Sequence, residues 1–197
     1  MCASETGLRD EILKAATQMF IQQGYHGLAM RQISDALGVS KAALYYYFKD
    51  KEELFLAILT NYLEEIESAL AAIDAQTEPG AEQIRFFMEM VLKQPAERRA
   101  IIRLASQEMA QLSAASRQRF DRLYHEKFIG KLTAILQRGM EKGEFRTVNA
   151  ETATWALLGI MYPYFYPSHS GERPLASETI RDLVAIYLNG LIQPPRP

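Results

Sequence analysis

Between Met30 and Phe48 the chain reads M-R-Q-I-S-D-A-L-G-V-S-K-A-A-L-Y-Y-Y-F, and its most concentrated chemistry lies there. Lysine ammonium groups and tyrosine hydroxyls suit phosphate oxygens, which position a protein on a duplex without reading its sequence. Ala42 and Ala43 are small enough to let a backbone approach base edges, and an alanine methyl can touch that of thymine. The spacing supports no catalytic chemistry. His26, His125 and His169 are far apart, and none stands in an H-E-x-x-H pattern. Glu64 and Glu65 have no histidine three residues on, as a di-iron set requires. No G-x-S-x-G, Walker or G-x-G-x-x-G element is present, so no catalytic residue, cofactor or metal is expected. His125, beside Glu126, either lines a pocket or sits on the surface.

Two short helices must position these groups. Met30, Ile33 and Leu37 recur at helical spacing, and Gly38 then stops the helix where a left-handed residue is favoured. Val39 continues the apolar seam, and Ser40 can N-cap a second helix that buries Leu44 and Phe48, four apart on one face. A glycine turn between two such helices makes a helix-turn-helix, whose second helix enters the major groove; a purely structural helix hairpin has the same pattern. Upstream, Leu8, Ile12, Ala15, Ala16, Met19 and Phe20 form an amphipathic helix closed by Gly24 and followed by Tyr25. Downstream, Asp50 and Glu53 make a capping-box-like start to a long fourth helix. Three consecutive tyrosines cannot all face outward at about 100° per residue, and Tyr46 is expected inside.

The run A-A-x-x-x-F-I-Q-Q-G-Y-H-G … I-S-D-A-L-G-V-S-K-A-A-L-Y-Y-Y-F-K-D-K-E-E-L-F resembles the TetR family of bacterial transcriptional regulators from about Ile12 to Phe55. Beyond it the likeness rests on helix layout and small marks such as Gly143-Glu144-Phe145. Gly, Pro and polar clusters divide the chain into about nine helical segments, and the resemblance implies an all-α homodimeric repressor. It would have an N-terminal helix-turn-helix head, residues 1–53, and a C-terminal helical ligand-binding and dimerisation domain, residues 54–197. By that resemblance Ser40, Lys41, Tyr45, Tyr47 and Lys51 match positions that hold the DNA backbone. Arg31 matches one that can reach a guanine, where a bidentate guanidinium is worth about 1–3 kcal/mol of discrimination. Arg31 can equally pair with Asp35 at i,i+4, and Lys49 and Lys51 can be plain solvated charges. Many relatives carry threonine or serine where this chain has Leu28 and Ala29, and Ala29 cannot cap by its side chain.

Bulk numbers agree with a soluble regulator. The 197 residues suffice for one large or two small domains with a real core, and 48% hydrophobic with 23% charged residues is ordinary for a globular protein. A net charge of −2 means that duplex DNA must meet a local patch, and Tyr25 to Lys51 carries an excess of two positive charges. Cys2 is the single cysteine, which excludes an intrachain disulfide. No signal peptide or membrane-spanning run is read, so the cytoplasm is the expected location and no membrane partner is expected.

The fourth helix, Lys51 toward Ile73, carries Leu59, Leu63, Ile66, Leu70 and Ile73 on one stripe, and its roughly 35 Å would link head to body. A linker, Asp74 to Gly80, follows. The fifth helix ends near Pro95, the sixth runs about Ala96 to Gln111, the seventh reaches Gly143, the eighth follows Asn149, and the ninth follows a loop from Pro167 to Pro174. The tail Gln193 to Pro197 is expected to fray. Phe87, Met88, Leu104, Phe128, Trp155 and Met161 are candidates to line an effector pocket, with Arg103, Gln107 and Tyr124 as polar groups. The same residues also read as plain core, and Arg103 as surface. The stretch from Met161 through Ile180 is similar to a branch that senses acyl-CoA or related lipid metabolites. Wide apolar faces (Ala153, Leu157, Ile160, Met161 and Tyr164; Leu183, Val184, Tyr187 and Leu191) are expected to form a four-helix dimer interface through the last two helices. Two heads about one helical turn apart would then meet a near-palindromic operator.

Overall fold

Gly38 sets the geometry of the N-terminal helices. At φ 66°, ψ 24° it is left-handed, its N–H reaches Asp35 O at 3.2 Å, and the N–H of Val39 reaches Ser34 O at 3.0 Å. This bond pair closes a helix and turns the chain for the next, and only glycine takes that backbone without strain. The computed structural model describes residues 2–76, 78–166 and 175–191, with side chains from residue 7 onward. The loop from Pro167 to Pro174, with His169, and the tail from Gln193 to Pro197 lie outside these residues.

The described elements are α1 (Cys2–Gly27), α2 (Met30–Leu37), α3 (Lys41–Tyr47), α4 (Lys51–Asp74), α5 (Gly80–Leu92), α6 (Ala96–Glu108), α7 (Ala114–Tyr124), α8 (Gly130–Glu141), α9 (Ala150–Met161) and α10 (Ser177–Leu191). Short 3-10 turns follow α6 and α9. A π-helical turn, His125–Ile129, joins α7 to α8, so these two form the single seventh rod read from the sequence. The fold is all-α, with nine rods and no strand among the described residues. Gly24, at φ 71°, ψ 176°, breaks α1 where the sequence places its end.

The chain divides into two compact units. One holds residues 1–62 with 100–122, the other residues 63–99 with 123–197. In the first, Ile12, Ala16, Phe20, Ile33, Leu44, Leu54 and Phe55 are fully buried. Rings of Phe20, Tyr25 and Phe55 meet at centroid distances of 5.1 to 6.0 Å. In the second, α8 packs on α5 and α9, and α10 on α5 and α9, around Ile84, Phe87, Met88, Leu132, Leu136 and Leu157.

Gly143-Glu144-Phe145 has a structural task there. The Glu144 carboxylate accepts from the Gly80 N–H at 2.6 Å, placing a negative charge at the start of α5 where the helix dipole favours it. The Phe145 ring lies against the Cα of Gly139. The amides of Glu144 and Phe145 both bond Gly139 O, at 2.9 and 3.2 Å.

The apolar faces of the last two helices are corrected. Ala153, Leu157, Met161, Leu183, Val184, Tyr187 and Leu191 are buried within the chain's own second unit. The Tyr187 hydroxyl donates to Ala153 O at 2.9 Å, tying α10 to α9, and burial raises its pKa. These seven side chains are therefore taken up within the chain, while Ile160 and Tyr164 of the expected faces stay half-buried. Trp155 (44% exposed), Tyr162 and Ile186 (64%) are the large apolar side chains left outside on these segments.

Candidate nucleic-acid interface

Ser40 caps α3 as its position requires: its Oγ accepts from the Ala43 N–H at 3.1 Å. Leu44 (0% exposed) and Phe48 (2%) anchor the helix. The opposite side is open, with Lys41, Ala42, Tyr45 and Tyr46 exposed and Ala43 and Tyr47 half-buried. The expectation that Tyr46 packs inside is wrong, because Tyr46 is 75% exposed. It stands two residues from both anchors, about 200° around the helix, whereas Tyr47 falls within about 60° of Leu44. Tyr47 is therefore the one drawn inward, its ring edge-on to that of Tyr46 at 5.2 Å. The periodicity contained this answer.

α2 begins without a side-chain cap, as the sequence requires of Ala29. Gln32 replaces half of the missing cap by accepting from the Ala29 N–H at 2.7 Å. Arg31 makes its i,i+4 pair with Asp35 at 3.5 Å, and both side chains are largely exposed, so the pair contributes a few tenths of a kcal/mol. Lys51 turns back into the head. Its Nζ donates to Tyr25 O at 2.7 Å and Leu28 O at 2.9 Å, and stands 4.4 Å from the Tyr25 ring centroid. Burial, then Glu52 and Asp50, push the Tyr25 phenol upward. α4 starts on the expected box: the Glu53 N–H reaches Asp50 Oδ1 at 2.7 Å, and Glu53 Oε2 accepts from the Lys49 N–H at 2.9 Å.

Residues 100–122 are bonded to this head. Glu52 accepts from the N–H and Oγ of Ser113, at 3.2 and 2.6 Å, and from the Ser116 hydroxyl. These bonds hold its carboxyl below the usual range, the serine hydroxyls contributing most. His26 Nε2 meets Gln111 Oε1 at 2.6 Å. No sequence signal joined these positions, because hydrogen-bonding side chains 61 or 85 residues apart leave no periodic trace.

The candidate pocket residues fall in both units: Arg103, Leu104 and Gln107 in the first, the others in the second. Phe128 meets Phe87 at 5.9 Å and Tyr124 at 5.3 Å. Tyr124 is on the last turn before the π-helical segment, and burial pushes its phenol up to about 12. Met88 and Met161 are buried, Leu104 is 5% exposed, Arg103 half-buried and Gln107 exposed. Trp155 points outward, with the His125 ring at 6.4 Å. The fully buried guanidinium belongs to Arg99, which the sequence did not single out. It donates to Leu92 O at 3.0 Å, and burial lowers its pKa. An open cavity of about 330 Å³ lies elsewhere in the second unit, lined by Leu70, Ala71, Asp74, Lys131, Ile135 and Arg138 among others, none of them a candidate pocket residue. No helix among the described residues is long and apolar enough to cross a membrane.

Comparison with known proteins places this geometry. Residues 12–58 match the family described as bacterial regulatory proteins, tetR family. Residues 77–163 match the tetracyclin repressor-like C-terminal domain. The TetR family transcriptional regulator PfmR from Thermus thermophilus is 31% identical, over 92% of this chain and 99% of that one, with a TM-score of 0.76. The HTH-type transcriptional regulator YhgD of Bacillus subtilis is 24% identical over 90% of this chain and 92% of its own. AibR, crystallised with isovaleryl coenzyme A and operator DNA, shares the fold at a TM-score of 0.71 and 23% identity, over 90% of this chain and 96% of its own. With residues 12–58 and 77–163 matched and a near-full-length relative above 30% identity, the protein belongs to the TetR family of bacterial regulatory proteins and is, as that family's members are, a transcriptional regulator and not an enzyme.

Proposed function

We propose that the chain represses transcription as a homodimer that binds a near-palindromic operator and is released by a small apolar or amphipathic effector. The observation that carries this reading is α3 itself. It is a capped two-turn rod, anchored by Leu44 and Phe48, with Lys41, Ala42, Tyr45 and Tyr46 on its open side. In this reading residues 1–53 bind DNA, and residues 54–197 hold the effector and the dimer contact. Ser40, Lys41, Tyr45 and Tyr47 hold phosphates, Ala42 and Ala43 let the helix approach the bases, and Tyr46 joins them at the groove. Arg31 reaches a base by leaving its weak, solvated pair with Asp35. Lys51 braces the head through the carbonyls of Tyr25 and Leu28 and has one ammonium proton left for the backbone.

A single short helix binds weakly, so two heads are needed. The dimer contact is assigned to the outer faces of α9 and α10. There Trp155 and Ile186 are exposed, and each has a glycine four residues on, Gly159 and Gly190, with open space where a Cβ would stand. The effector is placed beside Phe87, Met88, Tyr124, Phe128 and Met161, apolar groups around one phenol, which suit an acyl chain with a polar end. An acyl-CoA-like or lipid metabolite fits that chemistry. Binding there shifts α4 and takes the two heads out of register, with a coupling of about 1–3 kcal/mol.

The test is retention of fragmented genomic DNA from the source organism. The wild-type protein is expected to enrich discrete, near-palindromic fragments, and Lys41→Ala or Tyr45→Ala to lose them. Equal retention by all three proteins, or no enrichment by any, would overturn the reading.

A further inference from the structure

The helix-turn-helix is short of cations for its task. Of the four between Tyr25 and Lys51, Lys51 is bonded to two carbonyls and Arg31 to Asp35. Lys41 and Lys49 are exposed and make no ion pair among the described residues. Lys51 keeps its charge against those neutral carbonyls, but three lysines per head are still few for a protein with a net charge of −2, because DNA affinity at working salt rests on the phosphates neutralised.

A further cation stands at the end of the recognition helix, supplied from outside the motif. Arg9, exposed on α1, holds its guanidinium carbon 5.5 Å from the ring centroid of Phe48. Phe48 is the residue that closes α3, so the ring holds the guanidinium at the C-terminal end of the recognition helix. A guanidinium attracted to a ring face keeps its in-plane N–H fork, and that fork matches two phosphate oxygens. We propose that Arg9 is a phosphate-backbone contact that extends the DNA footprint of α3 onto α1, with Phe48 as its platform. The side chain carries affinity and no sequence preference. The inference rests on the DNA-binding reading above.

Because phosphates are common to all sequences, the operator need not be known. The full-length protein is titrated with a random-sequence duplex, long enough for two heads, across a fourfold range of salt. For Arg9→Ala the slope of log affinity against log salt is expected to fall by about 0.9 per subunit. For a dimer this makes the loss of affinity across the range roughly tenfold smaller than for the wild type. Arg9→Lys, which keeps the charge without the planar fork, retains the slope but binds more weakly. A wild-type slope in Arg9→Ala overturns the inference while leaving the regulator reading intact, since Arg9 would then only pack on Phe48. A wild-type protein that fails to bind the duplex at low salt overturns the regulator reading, and the inference with it.

Discussion

Gly139→Ala sets two opposed effects against each other at one atom. Gly139 lies inside α8, where alanine in place of glycine ordinarily stabilises a helix by about 0.8–1 kcal/mol. A Cβ built there would stand 2.4 Å from Phe145 Cδ2 and 2.5 Å from its Cε2, against an ordinary contact of 3.4 to 4 Å. The ring must withdraw by about 1 Å, and it has little freedom to do so. Phe145 is 1% exposed, its ring also lies close to Gly80, and its own N–H is bonded to Gly139 O at 3.2 Å. Backbone and clash are thus coupled through the same residue. Overpacking of this kind costs about 1–3 kcal/mol, so the net effect is a loss of up to about 2 kcal/mol. At about 2–4 °C per kcal/mol for a chain of this size, Tm falls by up to roughly 8 °C. Thermal unfolding followed by circular dichroism measures it. A Phe145→Leu background separates the two effects: there Gly139→Ala is expected to be neutral or stabilising, a coupling of about 2 kcal/mol. A Tm at or above the wild type for the single variant would refute the argument that ring packing decides the sign.

The outer faces of α9 and α10 and the bonds of Glu52 give two further tests. Ile186 is 64% exposed, so Ile186→Asp should leave the helical signal of the chain unchanged while raising the dimer dissociation constant at least tenfold, as read by sedimentation; an unchanged constant would move the interface elsewhere. Glu52 has its pKa lowered from 4.5 by the Ser113 and Ser116 hydroxyls, so its contribution is complete above the unfolded value and fades as pH falls through the folded one. Discounted for exposure this is about 1 kcal/mol, and Glu52→Gln should lower Tm near neutral pH, with the gap from the wild type closing as the pH falls below the ordinary carboxylate range. A gap that stayed constant into acid would mean that the carboxylate's charge has no part in holding Ser113 and Ser116.

Local grammar was legible in the sequence because its physics acts within one or two helical turns. Ser40 as a cap, Gly38 as a left-handed turn, Asp50 and Glu53 at the start of α4, and Leu44 with Phe48 as anchors all depend on neighbours no more than four residues away. The break of α1 at Gly24 and the cap of α9 by Asn149 follow the same rule. Even the error at Tyr46 was local, since the angle from Leu44 already favoured Tyr47.

Tertiary packing decided what local spacing leaves open. An apolar stripe wide enough for two partners does not say which half meets its own chain, and the inward halves were settled by α8 for α9, by α5 for α10, and by α9 and α10 meeting each other. Arg98, Arg99 and Arg103 are alike as sequence, yet only the second is buried, with a carbonyl of α5 as its acceptor. The partners of Lys51, Glu52 and Arg9 lie between 23 and 64 residues away along the chain, and a side chain that reaches so far is fixed by where the backbone returns. Residue type limits what each group can bond; the folded path chooses which bond it makes.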